Sequence, residues 1–415
     1  MMKIAIIGTG ISGLGAAYLL HQEHDIVVYE KNAYIGGHSR TIDIPVEHGT
    51  LPVDTGFIVF NDWNYPNLLG LFNQINVPYQ KSDMSFGVSI NQGWLEYSSG
   101  GLFAQRKNIL RPQYWRMLLD VFKFNKQALA YINQDPSISL GDCLDRLKMG
   151  AWFKQYYILA MGAAIWSCPV DTIMKFPAQT FLRFFKNHGL LSINDRPQWY
   201  TVTGGSREYK QRLVASFQEH ILLNNGATKV TQKGKQIEVI DSHGAARLFD
   251  HVIFACHADE ALQMINAPTP DETAVLSCFQ YQHNAIIVHS DASFMPQHKQ
   301  CWASWVYLSE PQNNTTGVSL SYWMNNLQSL DTTIPVIITL NPARRPKEAL
   351  IMDEHSFSHP IFDYNAIVAQ DKIADIQGKR QLWFCGAYQR YGFHEDGLLS
   401  AVNVVKSLGG SIPWE

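Results

Sequence analysis

A glycine-rich turn near the start of the chain constrains its fold more than any other feature. Gly8, Gly10 and Gly13 follow residues 3–7, which are typical of a short buried strand, and residues 11–22 are typical of a helix. Gly8 permits a tight turn, Gly10 lets the backbone approach a diphosphate, and Gly13 lets the helix pack on the strand. The pattern therefore predicts a diphosphate at the N-terminus of this helix, where free amide groups and the helix dipole favour negative charge.

The second strand of the predicted βαβ unit covers residues 26–30 and ends in an acid, Glu30, which lies 20 residues after Gly10. A carboxylate at this point can accept hydrogen bonds from ribose hydroxyls and disfavours a 2′-phosphate. The site is therefore expected to bind a dinucleotide other than NADP. The glycines and the acid do not by themselves choose between NAD and FAD.

Composition limits the remaining classes of function. The chain has 415 residues, enough for two cores, and a net charge of −3 gives no overall electrostatic case for nucleic acid. Its six cysteines form no CxxC motif, so we expect no metal site and no disulfide framework. This usage fits a reducing cytoplasm, and the protein is expected to be soluble or peripheral to a membrane.

The segment after Glu30 carries a resemblance to a known family. Residues 36–41, Gly-Gly-His-Ser-Arg-Thr, resemble the G-G-R-x-x-T segment of the FAD-dependent amine oxidase and phytoene desaturase superfamily. The double glycine there runs close to the FAD diphosphate. His38 stands in place of the usual arginine, and Arg40 follows two residues later, so which of the two approaches the phosphates stays open.

Further family markers follow in the family's order along the chain, at residues 53–57, 203–206, 252–257, 382–388 and 397–401. The resemblance implies non-covalent FAD and a reduced flavin whose negative charge faces the N-terminus of the last helix. The cofactor contacts it implies are Gly8, Gly10, Ile11, Ser12, Gly13, Glu30, Lys31, Gly36, Gly37, His38, Ser39, Arg40, Thr55, Gly56, Val230, Cys256, Gly386, Gly397 and Leu398.

The implied fold is α/β, with a Rossmann-like FAD-binding domain of the glutathione-reductase type interleaved with an α+β substrate domain. The FAD-binding domain is expected to take residues 1–80, 200–270 and 345–415. The substrate domain is expected to take residues 81–199 and 271–344. In the second sheet of the substrate domain, an aromatic set could line an apolar substrate site or form an ordinary core: Trp302, Trp305, Tyr307, Tyr322 and Trp323.

The string Gly392-Phe393-His394-Glu395-Asp396-Gly397-Leu398 narrows the resemblance. It is similar to a bacterial group of NAD/FAD-binding proteins, and to the flavin domain fused in front of plant cyclopropane-fatty-acid synthases. That similarity points towards lipid acyl chains. His394 and Glu395, expected just before the last helix, are candidates for catalytic acid and base, or for residues that only order the loop.

Three functions remain as hypotheses. The leading one is an FAD-dependent dehydrogenase, desaturase or oxidase acting on a hydrophobic substrate such as a modified fatty-acyl lipid. A flavin amine oxidase is the second. The third is a flavin-binding accessory subunit of a lipid-modifying methyltransferase. Residues 101–126 combine basic and apolar side chains, which suits either a solvated surface helix or peripheral contact with the inner face of a membrane.

Overall fold

The computed structural model describes residues 1–47, 49–132, 137–166, 173–192, 196–312 and 315–415. In chain order the strands are β1 (Lys3–Ile7), β2 (Asp25–Tyr29), β3 (Thr41–Val46), β4 (Gly49–Asp54), β5 (Phe60–Asn61), β6 (Tyr79–Lys81), β7 (Phe86–Ile90), β8 (Leu95–Ser98), β9 (Trp199–Val202), β10 (Ile221–Leu222), β11 (Ala227–Lys233), β12 (Gln236–Asp241), β13 (Ala246–Phe249), β14 (His251–Phe254), β15 (Gln280–His289), β16 (Trp305–Gln312), β17 (Thr315–Trp323), β18 (Ile337–Leu340), β19 (Ile351–Ile361) and β20 (Leu382–Phe384). The α-helices of these residues are α1 (Ile11–Leu20), α2 (Pro66–Gln74), α3 (Pro112–Gln127), α4 (Leu140–Arg146), α5 (Ala151–Phe153), α6 (Leu159–Trp166), α7 (Ala178–Asn187), α8 (Arg207–Val214), α9 (Ala258–Met264), α10 (Pro270–Leu276), α11 (Met324–Leu327), α12 (Tyr364–Lys372) and α13 (His394–Ser407).

The first large sheet is parallel and has five strands in the order β10-β2-β1-β14-β20. Strand β1 is apolar and buried from Ile4 to Ile7, as expected for a central parallel strand covered on both faces. Helix α1 connects β1 to β2, and α13 packs against α1. The antiparallel meander β11-β12-β13 packs on the other side of the parallel sheet through a separate apolar cluster.

The second large sheet has seven strands in the order β19-β15-β18-β17-β16-β7-β8. Its pairs are antiparallel except for β16 with β7. The helices from α3 to α7 share one large apolar core with this sheet. The residues Asn91-Gln92-Gly93 predict a turn between two strands, and in the structure all three have positive φ angles between β7 and β8.

The predicted fold class, a mixed α/β chain with a Rossmann-like domain, is confirmed. Strands of the parallel sheet come from three separate stretches of sequence, as an interleaved chain requires. Strand β19 pairs with β15 over most of its length and so belongs to the seven-stranded sheet, although residue 345 was the predicted start of the last FAD-binding segment. The domain boundaries themselves stay a prediction.

Two predicted elements differ in the structure. The alternation of residues 53–61 predicts a single strand, but β4 ends at Asp54. After Asp54 the chain turns so that the amides of Thr55 and Phe57 bond to the carbonyls of Arg40 and His38. The last helix begins at His394 rather than Leu398, because the Asp396 carboxylate accepts the Phe393 amide and caps the helix earlier.

The basic segment at residues 101–126 also differs from a single long helix. Helix α3 covers only Pro112–Gln127, and residues Arg106–Leu110 form a short 3-10 turn before it. Among the described ranges, no helix is both long and apolar enough to span a bilayer.

Candidate functional site

The glycine turn between β1 and α1 has the geometry expected of a diphosphate-binding site, which we call the diphosphate seat. Gly8 has φ of 107°, and a side-chain carbon there would lie 2.6 Å from the carbonyl oxygen of Ala255. At Gly13 such a carbon would lie 2.0 Å from the Gly8 carbonyl oxygen. Gly10 differs from both, because a side-chain carbon there would meet no atom within 4 Å. The turn is therefore closed towards the protein and open at Gly10.

Helix α1 begins directly after Gly10, and its first intrahelical hydrogen bond runs from the Leu14 amide to the Gly10 carbonyl. The amides of Ile11, Ser12 and Gly13 precede that bond, and no acidic side chain stands in this first turn. These amides can therefore receive an anion.

The loop at Gly36-Gly37 folds over the same turn. The Gly36 amide donates to the Thr9 carbonyl at 3.0 Å, and a side-chain carbon on Gly37 would lie 3.3 Å from Cα of Gly10. Both glycines have positive φ, which other residues rarely adopt. The predicted close approach of the two glycine segments is thus present in the structure.

A buried cation, Lys210 of α8, supports this loop and was not predicted from the sequence. Its Nζ donates to the carbonyls of Ile35 and Ser39 at 3.1 and 2.5 Å. Burial lowers the pKa of this ammonium group. The Gly204-Gly205 marker precedes α8, but no local sequence pattern links Lys210 to this distant loop.

Arg40 and His38 have different environments. Arg40 forms a bidentate ion pair with Asp353 of β19 at 2.7 and 3.0 Å, so it ties the loop to the second sheet. The ring of His38 stacks on Phe357 at 4.4 Å, and its Nε2 is buried without a hydrogen-bond partner. His38 is therefore the one with an unused polar atom.

A group of histidines surrounds His38. The ring of His359 lies 5.1 Å away and that of His257 lies 6.4 Å away. Burial, followed by the neighbouring imidazoles, holds the pKa of His38 well below its usual range, and burial lowers the pKa of His359 to about 4. The Asn284 amide contacts Nδ1 of His359 at 2.7 Å. His359 is thus neutral near pH 7, and an amide hydrogen of Asn284 directed at Nδ1 would leave the proton on Nε2.

The segment after β4 contacts the same loop. A side-chain carbon on Gly56 would lie 2.0 Å from the His38 carbonyl oxygen and 3.1 Å from the Phe357 ring. Thr55 donates through its hydroxyl to the Arg40 carbonyl. Beside them, the buried carboxylate of Asp54 accepts hydrogen bonds from Thr41, Ser206 and Gln328, and burial raises its pKa to about 6.

Glu30 follows β2 and is buried beside the glycine turn. One of its oxygens accepts from the amide and hydroxyl of Thr9, and the other accepts from the amide and side chain of Asn32 at 2.8 Å. The acid lies where the motif predicted it, but it already orders the turn. The neighbouring Lys31 pairs with Glu260 of α9 at 2.6 Å.

Val230 and Cys256 are also among the predicted cofactor contacts. Val230 is buried in β11, and its carbonyl accepts the Asn266 amide at 2.8 Å. Cys256 follows β14, directly after the Ala255 carbonyl that touches Gly8. Burial keeps the pKa of the Cys256 thiol well above its usual range.

The end of the chain completes the seat through α13. A side-chain carbon on Gly397 would lie 2.9 Å from atoms of both Ile11 and Ser12, so the two helices touch at the start of α1. Leu398 is fully buried and covers Gly15, and the Gly386 amide donates to the Ser400 hydroxyl.

His394 lies in the first turn of α13. Its Nε2 is 2.8 Å from the Tyr209 hydroxyl and 3.3 Å from the hydroxyl of Ser39, and its ring stacks on Phe57 at 3.8 Å. Burial, aided by the charge of Lys210, lowers the pKa of His394 to about 3. Its imidazole is therefore neutral at physiological pH and cannot supply a proton as an imidazolium.

Glu395 points away from His394, towards α2. Its carboxylate accepts the amides of Asn67 and Leu68 at 3.1 and 2.9 Å and the Asn67 side chain at 2.7 Å. These amides are the free donors of the first turn of α2. The contacts favour the ordering role for Glu395.

The predicted aromatic set divides between the two faces of the seven-stranded sheet. Trp305, Tyr307 and Tyr322 belong to the large core shared with the helices, and Nε1 of Trp305 is buried without a partner. Trp302 and Trp323 pack on a separate small cluster, so these two cannot line a site with the other three. Tyr322 and Trp323 are adjacent on β17, so strand alternation places them on opposite faces. Trp302 precedes β16 and belongs to no strand.

Two cavities accompany these elements. One of about 170 Å³ lies at the start of α13 and is lined by residues that include Tyr65, His188, Tyr391 and Phe393. A larger one of about 530 Å³ is lined by residues such as Ser89, Gln297 and Arg344, none of them from the glycine turn or α13. Within the described parts of the chain, no group of three metal-ligating side chains is found.

The described residues fit a dinucleotide diphosphate. Gly10 and Gly37 leave backbone exposed to an approaching group, the first amides of α1 are free to donate, and Nε2 of His38 is an unpaired buried atom. With the parallel sheet, the meander and the returning helix α13, this site places the chain in the class of Rossmann-like dinucleotide-binding folds.

Comparisons with known proteins agree with this class. Residues 6–75 match the family described as NAD(P)-binding Rossmann-like domain. The chain is similar to the "Putative flavin-containing monoamine oxidase AofH" of Mycobacterium tuberculosis, with 22% identity over an alignment of 286 residues. The alignment covers 65% of this chain and 60% of that protein. The match thus spans less than two thirds of that relative.

Solved structures with the same fold cover almost the whole chain. A fatty acid isomerase from P. acnes that produces CLA superposes with a TM-score of 0.69 at 16% identity, over 98% of each chain. Cyclohexylamine oxidase from Brevibacterium oxydans IH-35A gives a TM-score of 0.68 at 14% identity, over 98% of this chain and 99% of that one. These structures show that the chain shares the fold of flavin-dependent oxidoreductases, as the resemblance implied. The likeness to the cyclopropane-synthase flavin domain stays a prediction.

Proposed function

We propose that this chain is an FAD-dependent oxidoreductase with a non-covalently bound cofactor. The observation that carries the proposal is the seat at the start of α1, where Gly10 is open to a ligand and Gly37 and Gly397 close in from two distant parts of the chain. Such a seat accommodates the diphosphate of a dinucleotide. FAD bound there would accept two electrons, as hydride, from a substrate C–H bond.

Specific residues would hold the parts of FAD. The amides of Ile11 and Ser12 would receive the diphosphate, with Lys210 supplying positive charge to the loop that covers it. His38 would present its unpaired Nε2 to the same region. The start of α13 would face the flavin, and its helix dipole would favour the anionic reduced form.

The buried thiol of Cys385 supports non-covalent binding. It is fully buried at the end of β20, and burial raises its pKa far above the ordinary range. A thiol held neutral in this way is a poor nucleophile towards the flavin.

We further propose a hydrophobic substrate, such as a modified fatty-acyl lipid, with electrons passing on to oxygen, a quinone or another acceptor. The likeness of the 392–398 string points towards such a substrate. The proposal also includes peripheral contact with the inner face of a membrane and a lipid methyltransferase as a partner.

A flavin amine oxidase remains the second candidate, because the curated relative carries that name. The two acids nearest the start of α13 weaken it. Glu395 is bonded to α2 and Asp396 to the amides of Tyr391 and Phe393, so neither is free to pair with a substrate ammonium group.

The test begins with the absorption spectrum of the purified protein, before and after reconstitution with FAD. No flavin bands after reconstitution would overturn the cofactor assignment. Anaerobic incubation of the flavin-loaded protein with acyl lipids or with polyamines then separates the substrates, because only a true substrate bleaches the flavin. Bleaching by amines alone would establish the second candidate. Stable flavin with every pool, together with a co-purifying methyltransferase, would favour an accessory role.

A further inference from the structure

The surface around α3 carries an unusual amount of exposed apolar side chain. Seven of the fifteen large hydrophobic residues exposed in the described structure lie between positions 102 and 129. Leu110 is 84% exposed, Leu119 66% and Phe122 58%. Large apolar residues in such a cluster mark a contact surface more often than scattered single ones.

Helix α3 has two apolar stripes on different sides. Tyr114, Met117 and Phe124 point into the core. Trp115, Leu119 and Phe122 follow the spacing i, i+4, i+7 and share the outward face. The inward stripe packs in the core, whereas the outward stripe is exposed apart from the contact of the Trp115 ring with Phe103 at 5.0 Å.

The preceding turn extends this outward stripe. The Trp115 indole donates to the Ile109 carbonyl at 2.9 Å, which holds Ile109 and Leu110 beside the start of α3. We call the surface made by Ile109, Leu110, Trp115, Leu119 and Phe122 the α3 patch. It is a continuous apolar ridge fixed to a regular helix.

Unpaired positive charge accompanies the α3 patch. Residues 102–132 contain six basic side chains and a single acid, Asp120, a net charge of +5 in a chain whose total is −3. Asp120 is buried and accepts the Gly150 amide. None of the six cations forms an ion pair with another described residue.

We propose that the α3 patch docks the protein on an anionic lipid bilayer, with the apolar ridge inserted at the headgroup level and the cations on the lipid phosphates. An apolar ridge with basic neighbours is the pattern of an interfacial helix. A second copy of this chain suits the patch poorly, because a symmetric pairing would set one net charge of +5 against another. The proposal adds a docking surface to the proposed action on lipids and does not depend on the flavin.

The test is co-sedimentation of the flavin-reconstituted full chain with vesicles of phosphatidylcholine alone and of phosphatidylcholine mixed equally with phosphatidylglycerol. We expect binding to the anionic vesicles that weakens with added salt, and little binding to the neutral ones. The double variant Leu119→Ser/Phe122→Ser should lose at least about tenfold in affinity. Lys107→Glu/Lys126→Glu should lose at least about fivefold for each charge removed.

Matched controls come from the other end of the fold. Leu223→Ser/Leu248→Ser changes two leucines that are 41% and 47% exposed, and Lys229→Glu/Lys235→Glu changes two exposed lysines. Both should bind vesicles like the unaltered protein. Equal binding by the α3 variants, or equal loss in the controls, would overturn the proposal.

Light scattering tests the alternative in which a second copy of this chain, rather than a bilayer, covers the α3 patch. A concentration-dependent dimer that Leu119→Ser/Phe122→Ser abolishes, without any vesicle binding, would assign the patch to a second copy instead. The flavin spectrum of each variant checks its fold. Vesicle binding by a protein that never takes up flavin would leave the docking surface intact and remove the oxidoreductase proposal.

Discussion

At the scale of single residues, Gly10 differs from the other glycines of the turn, because ligand binding rather than packing explains it. Gly8 and Gly13 have protein atoms where a side chain would go, so their glycines are explained by packing alone. Gly10 has an ordinary φ of −64° and open space beside it. Nothing within the protein requires a glycine at this position, which leaves the approach of a bound group as its explanation.

Gly10→Ala should therefore reduce flavin binding without reducing stability. We expect at least about a tenfold loss of FAD affinity, because the added methyl group stands where the diphosphate must approach, and an unchanged melting temperature for the apoprotein. Flavin titration by fluorescence and thermal unfolding measure the two quantities.

Gly100→Ala is the matched control, since a side-chain carbon there also meets nothing within 4 Å and φ is not in the positive range. It should change neither quantity. A Gly10→Ala protein that binds FAD normally would show that the diphosphate lies elsewhere.

The residue scale is also where sequence reasoning works best. The glycine spacing, Glu30 and the double glycine were recognisable because each is a local constraint of backbone conformation or strand end. His38 and Arg40 could not be assigned in this way, because the pairing of Arg40 with Asp353 joins residues 313 positions apart. Lys210 was missed for the same reason, since its partners are carbonyls of a distant loop.

At the scale of elements, Glu395 joins two helices that are far apart in sequence. It belongs to the first turn of α13 and accepts the free amides at the start of α2, 328 and 327 positions away. A local sequence pattern could indicate that Glu395 is unusual, but it could not identify α2 as its partner. In the structure Glu395 caps the start of α2, and its role in catalysis stays a prediction.

Glu395→Ala should accordingly lower stability more than it alters the flavin site. Two buried amides and one side chain would lose their acceptor, so we expect the free energy of unfolding to fall by about 3 kcal/mol. The flavin spectrum should stay unchanged. Chemical denaturation and absorption spectroscopy provide the two readouts.

Asp363→Ala offers a comparison, because Asp363 caps α12 by accepting only the Ala366 amide at 2.8 Å. Its loss should be about 1 kcal/mol. If Glu395→Ala abolished turnover while unfolding like the unaltered protein, a catalytic role for Glu395 would be restored.

At the scale of the whole molecule, the burial of histidines makes the stability of the fold depend on pH. Burial lowers the pKa of His188, His289 and His359 to about 4, well below the usual 6.5. Between pH 6.5 and 4 the unfolded chain therefore binds protons that the folded chain does not, and stability falls as the pH falls. Asp54 and Asp396, whose pKa values burial raises to about 6, oppose part of this loss.

His188→Phe tests the contribution of one such group. The ring of His188 stacks on Phe184 at 3.8 Å, so phenylalanine suits the site. Removing the titration should make the loss of stability between pH 7 and pH 5 smaller by about 2 kcal/mol. Denaturant unfolding at both pH values gives the difference. His283→Gln, an exposed position, should leave the loss as it is, and an equal loss in His188→Phe would contradict the assignment.

The return of β20 and α13 to the first βαβ unit has a consequence for synthesis. The chain leaves the ribosome with β1 and α1 first, but β14, β20 and α13, which flank and close them, emerge only after residues 250 and 380. At ordinary elongation rates that interval is roughly tens of seconds. During this time the nascent chain has an unpaired strand edge and no complete nucleotide pocket. We therefore expect the nucleotide pocket to become complete, and able to hold FAD, only after α13 has emerged.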